Sequence, residues 1–314
     1  MKKNVFGDGI LSAYIGLFFV VIMWGCSPVI TQELYKYYSP TFRVFFAEVI
    51  LLISYIILGR KHIKEFNMDY IKVGIPTGLF LALANISQKI GLMYTTPAKY
   101  AFLENLSCIS VPILMYILVK KKPGKMTIVS CFLALLSVFI LNGISFNDAS
   151  SWGVGEILCA VSGLLYGFNI AGTGAYAKKL NAPLYLATQS VISAIISLIF
   201  ALILNFTTYT NIEGVRVPIE KIVFSIDPGL IAFTIIYIVV GSAICWIIRT
   251  NSMKKIDASV VTIIMPFSAV ITGILSVLTG KDSPTLNLLF GGLIGVLAIF
   301  LSSYDDIFRR KSKH

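Results

Sequence analysis

The chain of 314 residues is 57% hydrophobic and only 13% charged, with a mean hydropathy of +0.85. Soluble globular domains carry about 25% charged residues, so a soluble fold is excluded, and the longest polar gap, residues 207–227, leaves no room for a separate soluble domain. The net charge of +11 is divided among short loops rather than gathered into one patch, so no nucleic-acid partner is expected.

Apolar runs of about 20 residues, the length that crosses a bilayer, recur from end to end. They predict an all-α integral membrane protein with ten transmembrane helices, at roughly 12–34, 40–59, 71–94, 97–119, 126–143, 152–177, 184–206, 229–252, 257–279 and 286–304. The first run follows Lys2 and Lys3, as in a signal peptide, but it is too long and no small-x-small cleavage pattern follows, so a retained helix is expected. Barrel strands would alternate polar and apolar residues over about ten positions, whereas residues 50–58 and 289–301 are apolar all round.

Lysine and arginine in the loops set the orientation. With the N-terminus in the cytoplasm, 18 of these residues fall in cytoplasmic segments and 4 (Lys36, Arg216, Lys221, Lys281) outside. The remaining four, Arg43, Lys89, Lys99 and Arg249, fall within spans. The alternation predicts a multi-pass protein of the cell (inner) membrane with both termini cytoplasmic. Cys26, Cys108, Cys131, Cys159 and Cys245 lie in apolar segments without a C-x-x-C pair, and the two histidines, His62 and His314, lie in a loop and at the C-terminus. Neither a disulfide framework, a metal site nor a cofactor is expected, and nothing resembles an intramembrane catalytic centre.

Residues 97–108 (PAKYAFLENLSC) stand opposite residues 257–268 (DASVVTIIMPFS) at an offset near 160, each starting a span after a very short turn. On the fifth and tenth spans Ser130, Ala134 and Ser137 stand opposite Gly291, Gly295 and Ala298, each a stripe of small residues that lets helices approach closely in lipid. Two five-helix repeats, 1–146 and 147–314, follow; five being odd, the second is expected to be inverted in the membrane, an architecture whose sites lie near the midplane between the halves. The stripe on the tenth span permits a homodimer as well as ordinary packing.

The block GLMYTTPAKYAFLENLSCISVPILMYILVKKKP (91–123), with Trp24-Gly25, with Gln88 before Ile-Gly-Leu and with Gln189, resembles the EamA family of the drug/metabolite transporter superfamily over roughly residues 12–304. The resemblance implies a 5+5 inverted-repeat bundle with a central cavity lined by spans one to four and six to nine, and spans five and ten at the periphery. The chain departs from the family at Glu48, where arginine is frequent, and at Glu104 and Asn105, where small or hydroxyl residues are usual. It also departs at Arg249, where glutamine is frequent, and at Ser268-Ala269, which replaces a frequent Glu-Pro pair.

At about 1.5 Å per helical residue, Glu48, Glu104 and Lys89 lie roughly 12, 10 and 8 Å from the outer ends of spans two, four and three. Charged groups in hydrocarbon cost about 2.5–3.5 kcal/mol on insertion scales and face a bundle interior, so these three are expected to meet. They meet either as a fixed ion pair or as a site with one acid in excess, suited to a cation or a proton. Polar residues recur at helical spacing on span three (Asn85, Gln88), span six (Tyr166, Asn169, Thr173), span seven (Gln189, Ser193, Ser197) and span eight (Ser242, Trp246, Arg249). The serines and threonines are expected to bond between helices, and Asn85, Asn105 and Asn169 to face a wet cavity. Arg249 roughly mirrors Gln88 and is either an inner gate or a snorkelling cation; Arg43 and Lys99 are expected to snorkel. Trp24 and Trp246 suit a cation or a ring, Pro28 and Pro112 are hinge candidates, and Glu156 is expected to cap a helix.

These residues predict a secondary transporter of a small polar metabolite, an amino acid or related zwitterion or cation, working by alternating access with proton coupling. The alternative is a passive channel or facilitator, which would need a ring of like residues or a continuous wet pore. The expected partners are a small-molecule substrate and the lipid bilayer.

Overall fold

The computed structural model describes residues 9–34, 37–94, 103–141, 153–206, 211–212, 215–216, 224–278 and 286–311. The helices run α1 (Ile10–Leu34), α2 (Pro40–Gly59), a 3-10 turn (Arg60–Glu65), α3 (Met68–Tyr94), α4 (Ser107–Val119), α5 (Lys125–Leu141), α6 (Val154–Tyr176) and α7 (Ala182–Phe206). There follow α8 (Pro228–Ile238), a π-helical segment (Val239–Ile244), α9 (Cys245–Ser252), α10 (Ala258–Ile264), α11 (Phe267–Leu278) and α12 (Leu286–Lys311). Within the polar gap, β1 (Asn211–Ile212) and β2 (Val215–Arg216) pair antiparallel as a two-residue ribbon.

Among the described residues, seven stretches are long and apolar enough to cross a membrane, and three shorter apolar helices, Ser107–Val119, Lys125–Ile140 and Leu289–Tyr304, accompany them. The protein is a multi-pass helical membrane protein. Its outer surface carries large apolar side chains such as Ile57, Ile117, Phe132, Phe290 and Phe300, the surface that lipid tails solvate. The boundary between the two predicted repeats, at 146/147, and Lys99 lie outside the described residues.

Local chemistry starts the helices where the sequence places polar residues. Asp227 precedes Pro228 and its side chain accepts from the Leu230 N–H at 2.7 Å; Asp257 accepts from the Ser259 N–H at 2.9 Å. Both satisfy amides that have no partner within the helix. Glu156 does the same from inside: its Oε2 accepts from the Gly153 N–H at 2.8 Å, as the sequence suggests. Glu156→Ala is expected to lower stability by about 1 kcal/mol, seen as a small fall in melting temperature with transport otherwise intact.

Two predicted spans are interrupted. Span nine divides between α10 and α11 at Met265-Pro266, where Pro266 has no N–H to continue the ladder. Before α4, residues 103–104 are helical and 105–106 form a turn. These breaks, at 105–106 and 265–266, are 160 residues apart, the offset of the repeat. By contrast, α1 runs unbroken past Pro28, and Pro112 sits inside α4.

Packing follows the repeat. Taking α8–α9 and α10–α11 as single segments, the third segment packs on the sixth as the eighth packs on the first. The fourth packs on the sixth as the ninth packs on the first, and the second and seventh, and the fifth and tenth, pair with each other. In the last pair the small-residue stripes face one another: Ser137 Oγ donates to the Gly291 carbonyl at 2.6 Å, and Ser130, Ala134 and Ala298 are buried. The stripe on α12 is therefore occupied within the chain.

Candidate functional site

The polar face of α3 meets α2, α6 and the turn before α4. Glu48, on α2, is buried; its Oε1 accepts from Ser193 Oγ of α7 at 2.9 Å and, at a longer 3.4 Å, from Asn85 Nδ2 of α3. The other oxygen, Oε2, is buried and has no hydrogen-bond partner within 3.5 Å among the described residues, with the Ser190 hydroxyl of α7 lining the cavity near it. Asn85 Oδ1 in turn accepts from the Tyr166 hydroxyl of α6 at 2.5 Å, and that hydroxyl lies 3.4 Å from Gln88 Oε1. Gln88 Nε2 donates to Glu104 Oε1 at 2.8 Å. One chain of polar groups thus joins Glu48 to Glu104 through Asn85, Tyr166 and Gln88.

Four of the predicted residues therefore come together, and their link, Tyr166, is a residue that spacing places on a polar stripe without distinguishing it. Its single proton can serve only one of the two amide oxygens at a time. Tyr166→Phe removes the donor that Asn85 Oδ1 uses, and is expected to cut initial transport rates about tenfold or more while costing about 1 kcal/mol of stability. Counterflow rates and melting temperature measure the two effects separately.

Lys89 stands differently from expectation. It lies in the electrostatic field of Glu104 and Arg43, but among the described residues no ion pair within 4.0 Å joins it to either carboxylate. Asn105 is in the turn before α4, its carbonyl accepting from the Cys108 N–H at 2.9 Å. Asn169 is buried and donates Nδ2 to the Thr77 carbonyl at 2.9 Å, which makes it a tie between α6 and α3 rather than a cavity group. Beside it Tyr185 joins Thr77, Thr173 and Gln189 in a buried hydroxyl cluster, of the interhelical kind expected for the hydroxyl residues.

Arg43, expected to snorkel, and Arg249, expected either to gate or to snorkel, are both buried. Arg43 is buried on α2 and reaches Thr31 Oγ1 of α1 at 3.5 Å. Arg249, on α9, is 2% exposed, so its charge does not reach the headgroups. Its guanidinium carbon lies 4.6 Å from the Trp246 ring and 5.7 Å from the Trp24 ring. The two indoles are 5.4 Å apart, and Trp24 Nε1 donates to the Gly241 carbonyl of the π-helical segment at 3.2 Å. Wider helical turns of this kind are frequent at functional sites. Snorkelling and burial share one sequence signature, a lone cation near a span end, so only packing separates them.

A small cavity, with room for about one water molecule, lies among these groups. It is lined by Glu48, Leu51 and Tyr55 of α2, Leu81 of α3, Leu186, Gln189 and Ser190 of α7, and Trp246 of α9. Both halves of the chain contribute to it.

Helices long enough to cross a membrane here hold a buried carboxylate, a buried guanidinium and several amides in the bundle interior. The sequence model of the EamA-like transporter family matches residues 11–143 and again 153–304, and the chain belongs to that family. A protein of Archaeoglobus fulgidus named as an uncharacterized transporter is 25% identical over 214 residues, 66% of this chain and 63% of its own length. The chain thus spans less than two thirds of that relative. A solved structure titled only as a crystal structure of a protein superposes with a TM-score of 0.73 over 94% of this chain and 98% of its own, at 13% identity, a likeness of fold.

Proposed function

We propose that the protein is a secondary active transporter that moves a small polar metabolite, an amino acid or a related zwitterion or cation, across the cell membrane by alternating access. The observation that carries this reading is Glu48. One carboxylate oxygen accepts from Ser193 and Asn85, while the other, at the cavity that Ser190 also lines, has no hydrogen-bond partner within 3.5 Å among the described residues. Buried charges are costly unless matched, so the unmatched oxygen is a place for a substrate ammonium or a transported proton. The run of polar contacts from Glu48 to Glu104 gives a second carboxylate, and the Tyr166 proton, free to serve either Asn85 or Gln88, is the switch by which occupancy at one end is felt at the other.

The family match in two successive blocks and the exchange of packing partners between first and second halves support an inverted pair of five-helix repeats with a site between them. The lysine and arginine bias supports cytoplasmic termini. The test is reconstitution into proteoliposomes, after a thermal-shift screen of amino acids, amines and nucleosides at two pH values has supplied a ligand. Saturable counterflow that responds to a pH gradient is the expected result. Flux that rises linearly with concentration and shows no counterflow would replace the carrier with a channel.

A further inference from the structure

Arg249 is a cation that no part of the network from Glu48 to Glu104 uses. It is 2% exposed, and the face of its guanidinium is taken by Trp246 and, more distantly, Trp24. What stacking leaves open is the edge. Nε and Nη2 lie on the same edge of a guanidinium, and both are buried here with no hydrogen-bond partner. That edge presents two parallel N–H donors at the spacing of the two oxygens of a carboxylate, the arrangement that makes arginine the residue for planar, two-point recognition. A buried polar donor without a partner is rare in folded proteins, and here two share one charged edge.

The acids nearby do not fill it. Glu104 lies in the electrostatic field of Arg249, but among the described residues no ion pair joins them. Trp246 stands between Arg249 and the cavity: its ring lies 4.6 Å from the guanidinium carbon, and it lines the cavity together with Glu48. The Tyr166 hydroxyl lies in the field of Glu48, Glu104 and Arg249 together. Glu48, on the first half of the chain, and Arg249, on the second, thus share Trp246 as a neighbour, the one through the cavity that Glu48 and Trp246 both line and the other through the ring face.

Resting on the transporter reading above, we propose that Arg249 is the carboxylate-binding half of the transport site, so that the substrate is a zwitterion held by its ammonium at Glu48 and by its carboxylate on the Nε–Nη2 edge of Arg249. A free amine would leave the guanidinium edge unmatched, and a simple acid would leave Glu48 Oε2 unmatched. A ligand bearing both groups completes both pairs, and only while it touches both halves of the protein. Trp24 and Trp246 hold the guanidinium flat and present its edge rather than its face.

The experiment uses the smallest probes of each group, so that no side-chain preference intervenes. Acetate, methylamine, glycine and glycinamide are titrated into detergent-purified full-length protein, with chloride as the salt control. Tryptophan fluorescence and melting temperature are followed. In the wild type, acetate is expected to give a saturable response, and glycine to bind at least tenfold more tightly than acetate, methylamine or glycinamide. Arg249→Gln is expected to weaken acetate at least tenfold. Arg249→Lys, which keeps the charge and guards against a failure of the glutamine variant to fold, is expected to do nearly the same, because an ammonium has no fork. Glu48→Gln is expected to leave acetate unchanged and to erase the advantage of glycine. An acetate response that is absent, or equal in wild type and both Arg249 variants, overturns the proposal. If that happens while Glu48→Gln still abolishes counterflow, the transporter reading stands and only the carboxylate assignment falls. If acetate binds through Arg249 but Glu48→Gln transports normally, the anion site is real and the Glu48 reading is the one lost.

Discussion

Glu48→Gln is expected to reduce transport in proteoliposomes by at least a hundredfold while leaving the protein folded and monodisperse. The amide has the shape of the carboxylate, and its oxygen can still accept from Ser193 and Asn85. What disappears is the negative charge beside the cavity and the group able to bind and release a proton. Glu48→Ala would not make the same point, because it strips Ser193 and Asn85 of an acceptor inside the bundle and adds the cost of unmet donors, about 1–3 kcal/mol each. Glu104→Gln is expected to behave like Glu48→Gln, since its oxygen can still accept from Gln88. Normal flux in both glutamine variants, at wild-type protein levels, would remove the site from this part of the bundle.

Gly163→Ala is expected to be the most damaging small change to the fold. At this position α6 passes against the turn that precedes α4. A Cβ on Gly163 would meet the carbonyl oxygens of Leu103 and Glu104, the latter at 2.9 Å, with the Glu104 carbonyl carbon at 3.2 Å. These are backbone atoms and cannot rotate away, so the turn or the helix must shift. Overpacking of this kind costs about 1–3 kcal/mol, and here it also displaces Glu104 from Gln88. A fall of several degrees in melting temperature together with lost transport is expected. Gly292→Ala makes a useful contrast, since its Cβ would find only Val270 Cγ1 at an ordinary 3.5 Å. Equal melting temperatures for wild type and Gly163→Ala would mean that the two backbones are not in contact.

Much of the fold is legible in the chain because hydrocarbon imposes one simple demand, a helix of about 20 apolar residues. Most described helices lie within a few residues of the predicted spans, except that α4 begins only at Ser107 and α12 runs on to Lys311, and the stripes of Ser130, Ala134 and Ser137 against Gly291, Gly295 and Ala298 pack as their sizes suggest. The interruption at Met265-Pro266 has a visible cause in the proline, whereas that at Asn105-Leu106 has none in residue type; beside it the Leu103 and Glu104 carbonyls lie against Gly163 of α6. The site was legible as a set of polar residues and not as a set of partners. Periodicity puts Asn85, Gln88 and Tyr166 on inward faces, but it cannot say that one hydroxyl stands between two amides. Nor can it separate Asn169, bonded to a backbone carbonyl, from Asn85, bonded to a carboxylate.

The paired interruptions at 105–106 and 265–266 have a mechanical consequence. A continuous helix resists bending through every rung of its ladder, but a rod cut at one turn resists only through the few bonds that cross the cut. Tilting the stub on one side of each cut then costs about one or two hydrogen bonds, on the order of 1–3 kcal/mol, which is within the range that thermal motion and a bound solute can supply. Because the cut recurs at the same place in each half, the protein owns two equivalent joints. On the inverted-repeat reading proposed above, flexing at one cut while the other stays straight would loosen the bundle at one end only.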